Sequence, residues 1–286
     1  ASGNRNTLEN TLNIDVDTVR PTVTVSADKA SVKAGESVTL TLDFSEAPQG
    51  LTASDFSALK ASDGTTLTGG TFGTPQADST NPLRYTITWT PPTATDLTQV
   101  KLNIGSGTFT DAAGNLNTSA ASVNISVDTS APTVSTVVLE GRDAGDTLKT
   151  GALVAGDKVW VKVNMSQPVL VTGQPKYTLS VGGVGKEAVY DANLSTGTQM
   201  VFVYTVKSGD LDAVGGITAA ASALVNTASS TIKDAAGNAA DLSVAAIAAG
   251  TNSLAVDAAG NVLSTGTFSG TGDFDPGTGV FNMSAT

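Results

Sequence analysis

Hydrophobic residues alternate with polar ones along much of this chain, at the two-residue period of a strand that buries one face. Val38, Leu40, Leu42 and Phe44 form one such run, and Leu83, Tyr85, Ile87 and Trp89 a second. Val100, Leu102 and Ile104 form a third, and Val123, Ile125 and Val127 a fourth. The signal returns at Val159, Val161, Val163 and Met165, and again around residues 200–206. Between the runs lie turn-rich stretches such as Ala61-Ser62-Asp63-Gly64, Pro91-Pro92 and Asp111-Ala112-Ala113-Gly114-Asn115. Short strands separated in this way predict two packed antiparallel sheets, about seven strands to a unit.

An internal repeat sets the organisation. Residues 1–17, ASGNRNTLENTLNIDVD, align without gaps to residues 112–128, AAGNLNTSAASVNISVD, with nine identities and an offset of 111 residues. That period is too long for a solenoid and suits tandem β-sandwiches. The predicted fold is all-β: tandem immunoglobulin-like sandwiches with an extra N-terminal strand and a C-terminal β-hairpin. Residues 1–17 read as the last strand of a preceding repeat, 18–128 as the first full domain and 129–253 as a divergent second. Residues 254–286 read as two strands with a Gly-rich turn. In the second domain, residues 140–157 read as an insertion, and residues 215–228 are Ala-rich enough to allow a short helical turn. Leu12, Ile14 and Val16 alternate in the N-terminal strand, whose apolar face needs a cover. Self-association by strand pairing would supply one.

Composition narrows the chemistry. Cysteine and histidine are both absent, which removes disulfides, thiolate and imidazole ligands and the usual catalytic triads. The chain is expected not to be an enzyme. Acidic residues outnumber basic ones, 26 to 15, for a formal charge of −11 that repels nucleic acid and suits oxygen-preferring cations, calcium above all outside cells. Solubility is the plainer use of the same charge. No run approaches the roughly 20 apolar residues of a membrane helix, and residues 1–10 do not resemble a signal peptide, so no membrane insertion is expected in this segment and any export signal is placed elsewhere.

Topology then brings certain acids together. In an immunoglobulin-like sandwich the incoming linker, the loop after the second strand and the loop before the last strand share one end. Asp17, Glu46 and Asp111 are therefore expected to converge on a calcium ion, with backbone carbonyls and Asn115 completing the shell. A second, weaker site is expected at Asp128 and Asp234, where Gln167 offers a neutral oxygen in place of Glu46. A third Asp-Ala-Ala-Gly-Asn run, at Asp257, is assigned no metal. Asp210 and Asp212 read as a solvated acidic loop. Tyr85, Trp89, Tyr190, Phe202 and Tyr204 read as packing residues rather than a sugar-stacking platform. Glu46, Glu140 and Glu187 show no spacing that sets two of them across a cleft.

Phe44-Ser45-Glu46, Asp111-Ala112-Ala113-Gly114-Asn115 and Asp128-Thr129-Ser130-Ala131-Pro132, in that order, resemble the signature of bacterial immunoglobulin-like repeats of giant calcium-dependent, RTX-type adhesins. Asp257 to Asn261 and Gly266 to Pro276 resemble half of a bacterial β-propeller repeat. The resemblance implies an extracellular stalk on the bacterial surface, built from neighbouring repeats of one protein, whose calcium-bound linkers hold a ligand-binding tip away from the cell. The alternative is a subunit of a self-assembling filament or surface layer joined by strand exchange. An accessory sugar-binding module is a third class, marked by exposure of Trp89 or Trp160.

Overall fold

The computed structural model describes residues 14–212 and 216–257, together with the backbones of two short strands further on. The chain divides into two units. The first comprises Ala1–Pro132 with Pro168–Leu170 and Ile232–Asp241; the second comprises Thr133–Gln167, Val171–Thr231 and Leu242–Thr286.

The first unit is an immunoglobulin-like sandwich. Its strands are β1 (Val23–Ala27), β2 (Ser31–Lys33), β3 (Val38–Phe44), β4 (Phe56–Lys60), β5 (Thr71–Phe72), β6 (Gln76–Ala77), β7 (Arg84–Thr90), β8 (Asp96–Ile104) and β9 (Ala121–Asp128). One sheet runs β1-β3-β7-β5, with β6 also on β7; the other runs β2-β9-β8-β4. Strand β3 shows why alternation was a good guide, since Val38, Leu40, Leu42 and Phe44 are all buried and the threonines between them are not. Its neighbour β7 is held in antiparallel register, Leu40 opposite Ile87 and Val38 opposite Trp89. Facing them are Val100, Leu102 and Ile104 of β8 and Ile125 and Val127 of β9, which together close the core. Phe44 packs edge-on against Tyr85 and Phe109, at 5.7 and 5.0 Å between ring centres. Strand β2 changes sheets and pairs in parallel with β9, Lys33 opposite Asp128.

The second unit contains β10 (Val134–Arg142), β11 (Lys158–Met165), β13 (Lys176–Val181), β14 (Val184–Tyr190), β15 (Gln199–Thr205) and β16 (Leu224–Val225), in the sheet order β10-β11-β15-β14-β13-β16. Two further short strands are β12 (Leu170–Thr172) and β17 (Thr231–Lys233). Val159, Val161, Val163 and Met165 face its core as the pattern predicted. Two expectations need correction. Glu140, Gly141 and Arg142 lie within β10, paired to Trp160, Val159 and Lys158, so the irregular stretch is shorter than residues 140–157. Among the described residues of 215–228 there is no helix: Thr218 and Ala219 form isolated bridges and β16 follows, because Ile217, Ala219, Ala223 and Leu224 are drawn into the core.

Ile14 and Val16 are 71% and 77% exposed and lie in no strand; Thr11 to Asn13 of the expected N-terminal strand fall outside the described residues. Val256 is buried and bridges Leu153 and Asp212 in the second unit. Beyond it, β18 (Thr271–Asp273) pairs antiparallel with β19 (Asn282–Ser284). The rest of the propeller-like stretch falls outside the described residues.

Candidate metal centre

Three segments meet at one end of the first unit. The linker is drawn in by a reciprocal pair of hydrogen bonds: Thr22 N–H donates to Ser45 Oγ (2.9 Å) and Ser45 N–H to the Thr22 carbonyl (3.0 Å). The chain leaving β3 is then tied to the last loop through Gln49 and Thr110, whose backbone groups exchange bonds of 2.7 and 3.2 Å. Arg20 reaches the Leu116 carbonyl from the linker. These ties carry Asp17, Glu46 and Asp111 to one place, with a carboxylate oxygen from each within 4.8 Å of the others.

The loop 111–115 is built to present Asp111. Its N–H bonds the Asn115 carbonyl (3.2 Å), and Gly114, at φ 91°, turns the chain back in a conformation that costs glycine little. Asn115 donates from its backbone to Asp111 Oδ1 (2.9 Å) and from its side chain to Asp111 Oδ2 (2.9 Å) and the Asp17 carbonyl (3.1 Å). The structure thus gives the Asn115 amide nitrogen a bracing role between linker and loop.

Electrostatics at the three acids differ. Burial acts against ionised Asp111, which is only 2% exposed, but the Asn115 amide and the backbone N–H groups of residues 113–115 hold its carboxyl below the usual range. Glu46 is pushed up, by desolvation first and then by the charges of Asp17 and Asp111. Among the described residues no lysine or arginine forms an ion pair with any of the three. Two oxygens on one calcium ion, each at about 2.4 Å, lie at most about 4.8 Å apart, so the donor set fits that ion in chemistry and in span.

The loop 234–238 has the same internal geometry. Asp234 N–H bonds the Asn238 carbonyl (3.1 Å), Asn238 N–H bonds Asp234 Oδ1 (2.8 Å), its side chain bonds Asp234 Oδ2 (2.8 Å) and the Asp128 carbonyl (3.0 Å), and Gly237 has φ 92°. Burial, joined by the charges of Asp234 and Asp96, raises the Asp128 carboxyl, with the Ser130 amide and Asn238 opposing. Among the described residues, however, the three-acid grouping occurs only at Asp17, Glu46 and Asp111. Asp257 is buried, and its N–H bonds the Leu153 carbonyl.

Other candidates settle into structural roles. Asp210 and Asp212 are not solvated: both are 5% exposed. Asp210 binds Lys186 (2.6 Å), the Tyr204 hydroxyl and the Lys207 amide, and Asp212 accepts from the Gly182 amide (3.0 Å). Glu140 is held by Arg142 and Lys162, and Glu187 by Lys176. Trp89 and Phe202 are fully buried, while the ring of Trp160 is covered by Arg142, 4.5 Å from its centre, and by Lys162. Sequence reasoning missed Ser45 and Asn117. Asn117, 1% exposed, accepts from the Thr108 and Phe109 amides and donates to the Gly105 and Ser119 carbonyls, fixing the start of the loop that carries Asp111. Its place two residues after Asn115 was the available signal.

Comparison with known proteins places this geometry in context. Residues 17–127 match the bacterial Ig-like domain family. Similar solved structures include FdeC, an Escherichia coli adhesin, at 16% identity with a TM-score of 0.37, covering 79% of this chain and 63% of that one. The titin domains Z1Z2, solved in complex with telethonin, are 15% identical with a TM-score of 0.24, covering 76% of this chain and 94% of that one. The chain thus spans less than two thirds of the adhesin structure. No curated protein matches it in sequence.

Proposed function

We propose that this chain is a stalk segment of a bacterial surface adhesin, without catalytic activity, in which a calcium ion held by Asp17, Glu46 and Asp111 stiffens the linker where it enters the first unit. The observation that supports it is the convergence of three carboxylates from three separate segments, with no basic partner among the described residues. Like charges so close repel one another, and a divalent cation turns that repulsion into a crosslink. Because Asp17 belongs to the linker while Glu46 and Asp111 belong to the sandwich, the ion would tie the linker to the body of the sandwich. The match of residues 17–127 to a bacterial Ig-like domain supports the structural half of the reading, and the acidic composition suits a hard divalent cation.

Calorimetric titration of the full chain with calcium tests this. One site is expected in the wild type, weakened at least about tenfold in Glu46→Gln, which loses a charged ligand but keeps the side-chain shape. Titration without heat, or equal affinity in both proteins, would refute the site.

A further inference from the structure

The loops 111–115 and 234–238 are internal copies, yet their surroundings differ in a way that bears on how each is fastened. All residues considered belong to the first unit. At the first loop, a Cβ built on Gly114 meets nothing within 4 Å; the face of the loop is open. At the second, a Cβ built on Gly237 would stand 3.1 Å from Lys33 Nζ and 3.6 Å from Lys33 Cδ, so the lysine side chain lies directly over the turn. The next residue, Ala34, donates its N–H to Asn238 Oδ1 at 2.8 Å. Asn238 also donates to Asp128 Oδ1 (3.1 Å) in addition to the Asp128 carbonyl and Asp234. Asn115 makes no corresponding bond to the Asp17 carboxylate; Asp17 Oδ1 instead caps the Val19 amide of its own linker (2.9 Å).

The second loop therefore holds within the protein what the first lacks. Its asparagine is 3% exposed and engaged on both amide atoms, and strand β2, through its parallel pairing with β9, sets Lys33 opposite Asp128 in register. A cation at the first loop has two tasks: to offset the carboxylates, and to tie the arriving aspartate to the body of the sandwich. At the second, the Ala34–Asn238–Asp128 bonds perform the tying within the protein, beneath the Lys33 side chain that covers the turn.

We infer that loop 234–238 is a calcium-independent clamp on the first unit, fastened by Lys33 and Asn238. The inference rests on the calcium reading of the Asp17 site only for its contrast. Stiffening by calcium is then selective: of two copies of one loop, one answers to the ion and the other is fixed.

Amide exchange measured residue by residue on the full chain, in calcium and in chelator, tests it. Exchange at Ala34 and Asn238 should be the same in both within about twofold, whereas calcium slows Asn115 by about tenfold or more. Lys33→Met, which keeps the stem and removes the charge, should speed Asn238 exchange by about fivefold or more, with Lys29→Met as the silent control. The clamp is overturned if calcium protects Ala34 and Asn238 as strongly as Asn115, or if Lys33→Met leaves Asn238 unchanged. If Asn115 ignores calcium while Ala34 and Asn238 stay protected throughout, the clamp stands and the calcium reading of the Asp17 site fails instead.

Discussion

The two units treat their carboxylates in opposite ways. In the second, three acids near or in the core carry their own counter-ions: Asp210 with Lys186, Asp157 with Lys149, and Glu140 between Arg142 and Lys162. In the first, the ion pairs found among the described residues, Lys29 with Glu36 and Arg84 with Asp43, are exposed, and the one convergent group of acids has no basic partner. Exposed pairs contribute little, whereas a buried charge without a partner is costly. The difference teaches that an acidic cluster is informative only once its surroundings are known. The paired acids of the second unit complete its own structure, and we propose that those at the head of the first are arranged for a cation from outside.

The comparison breaks most severely at Lys186. Asp210 has a side chain only 3% exposed, so Lys186→Met strands a buried carboxylate and should destabilise the second unit by about 3 kcal/mol. Denaturant unfolding followed at Trp160, the one tryptophan of that unit, would read the loss; a change under about 1 kcal/mol would mean that the Tyr204 hydroxyl and Lys207 amide suffice alone.

Acid sharpens the contrast by sign. Burial opposes ionisation of Asp210 and Asp157, but their lysine partners and backbone donors prevail and hold both below the ordinary aspartate range. Their stabilisation is complete above that range and is lost as pH falls through the depressed values. Glu46 behaves conversely. Its raised carboxyl keeps a proton in the fold that the unfolded chain releases, so the calcium-free first unit should gain stability as pH falls from neutral through that raised value towards the ordinary glutamate range. Melting in chelator at pH 7 and pH 5, read at Trp89 for the first unit and Trp160 for the second, should show the first rising and the second unmoved. A parallel shift in both would show that Glu46 is not coupled to its neighbours.

The smallest effect is expected inside the second core. Tyr177 is fully buried, its hydroxyl has no hydrogen-bond partner among the described residues, and desolvation pushes its pKa up to about 12. Removing an unsatisfied group is close to neutral, so Tyr177→Phe should leave stability unchanged or raise it by up to about 1 kcal/mol. A loss of 2 kcal/mol or more would reveal a partner for the phenol.

How far the sequence could be read follows from these same residues. Strands β3 and β11 were legible because each buries every second residue, β8 and β9 because their second halves do, and Trp89 was legible as core because it keeps phase with Ile87. Strand β15 buries Met200, Val201 and Phe202 in succession, so alternation marked its position without its facing. Trp160 is out of phase with Val159 and Val161, which places it on the outer face; its cover by Arg142, 18 positions away, is a matter of register between β10 and β11. Asp210 was misread for a similar reason, since nothing in Gly209-Asp210-Leu211-Asp212 announces a lysine from β14. The Asp17, Glu46 and Asp111 grouping was legible from topology, because loops at one end of a sandwich must meet. The Ser45 tie and the Lys33 cover were not, because they depend on where backbone atoms arrive after the sheets have packed.

The central claim is that calcium acts on the first unit through Asp17, Glu46 and Asp111. Thermal unfolding of the full chain, with and without calcium, tests it directly when Trp160→Phe leaves Trp89 to report the first unit and Trp89→Phe leaves Trp160 to report the second. At a calcium concentration about 100 times the dissociation constant, the Trp89 transition should rise by on the order of 5 °C or more and the Trp160 transition should hold its position. A Trp89 transition indifferent to calcium, or one that still rises fully when Glu46→Gln is added, would contradict the account.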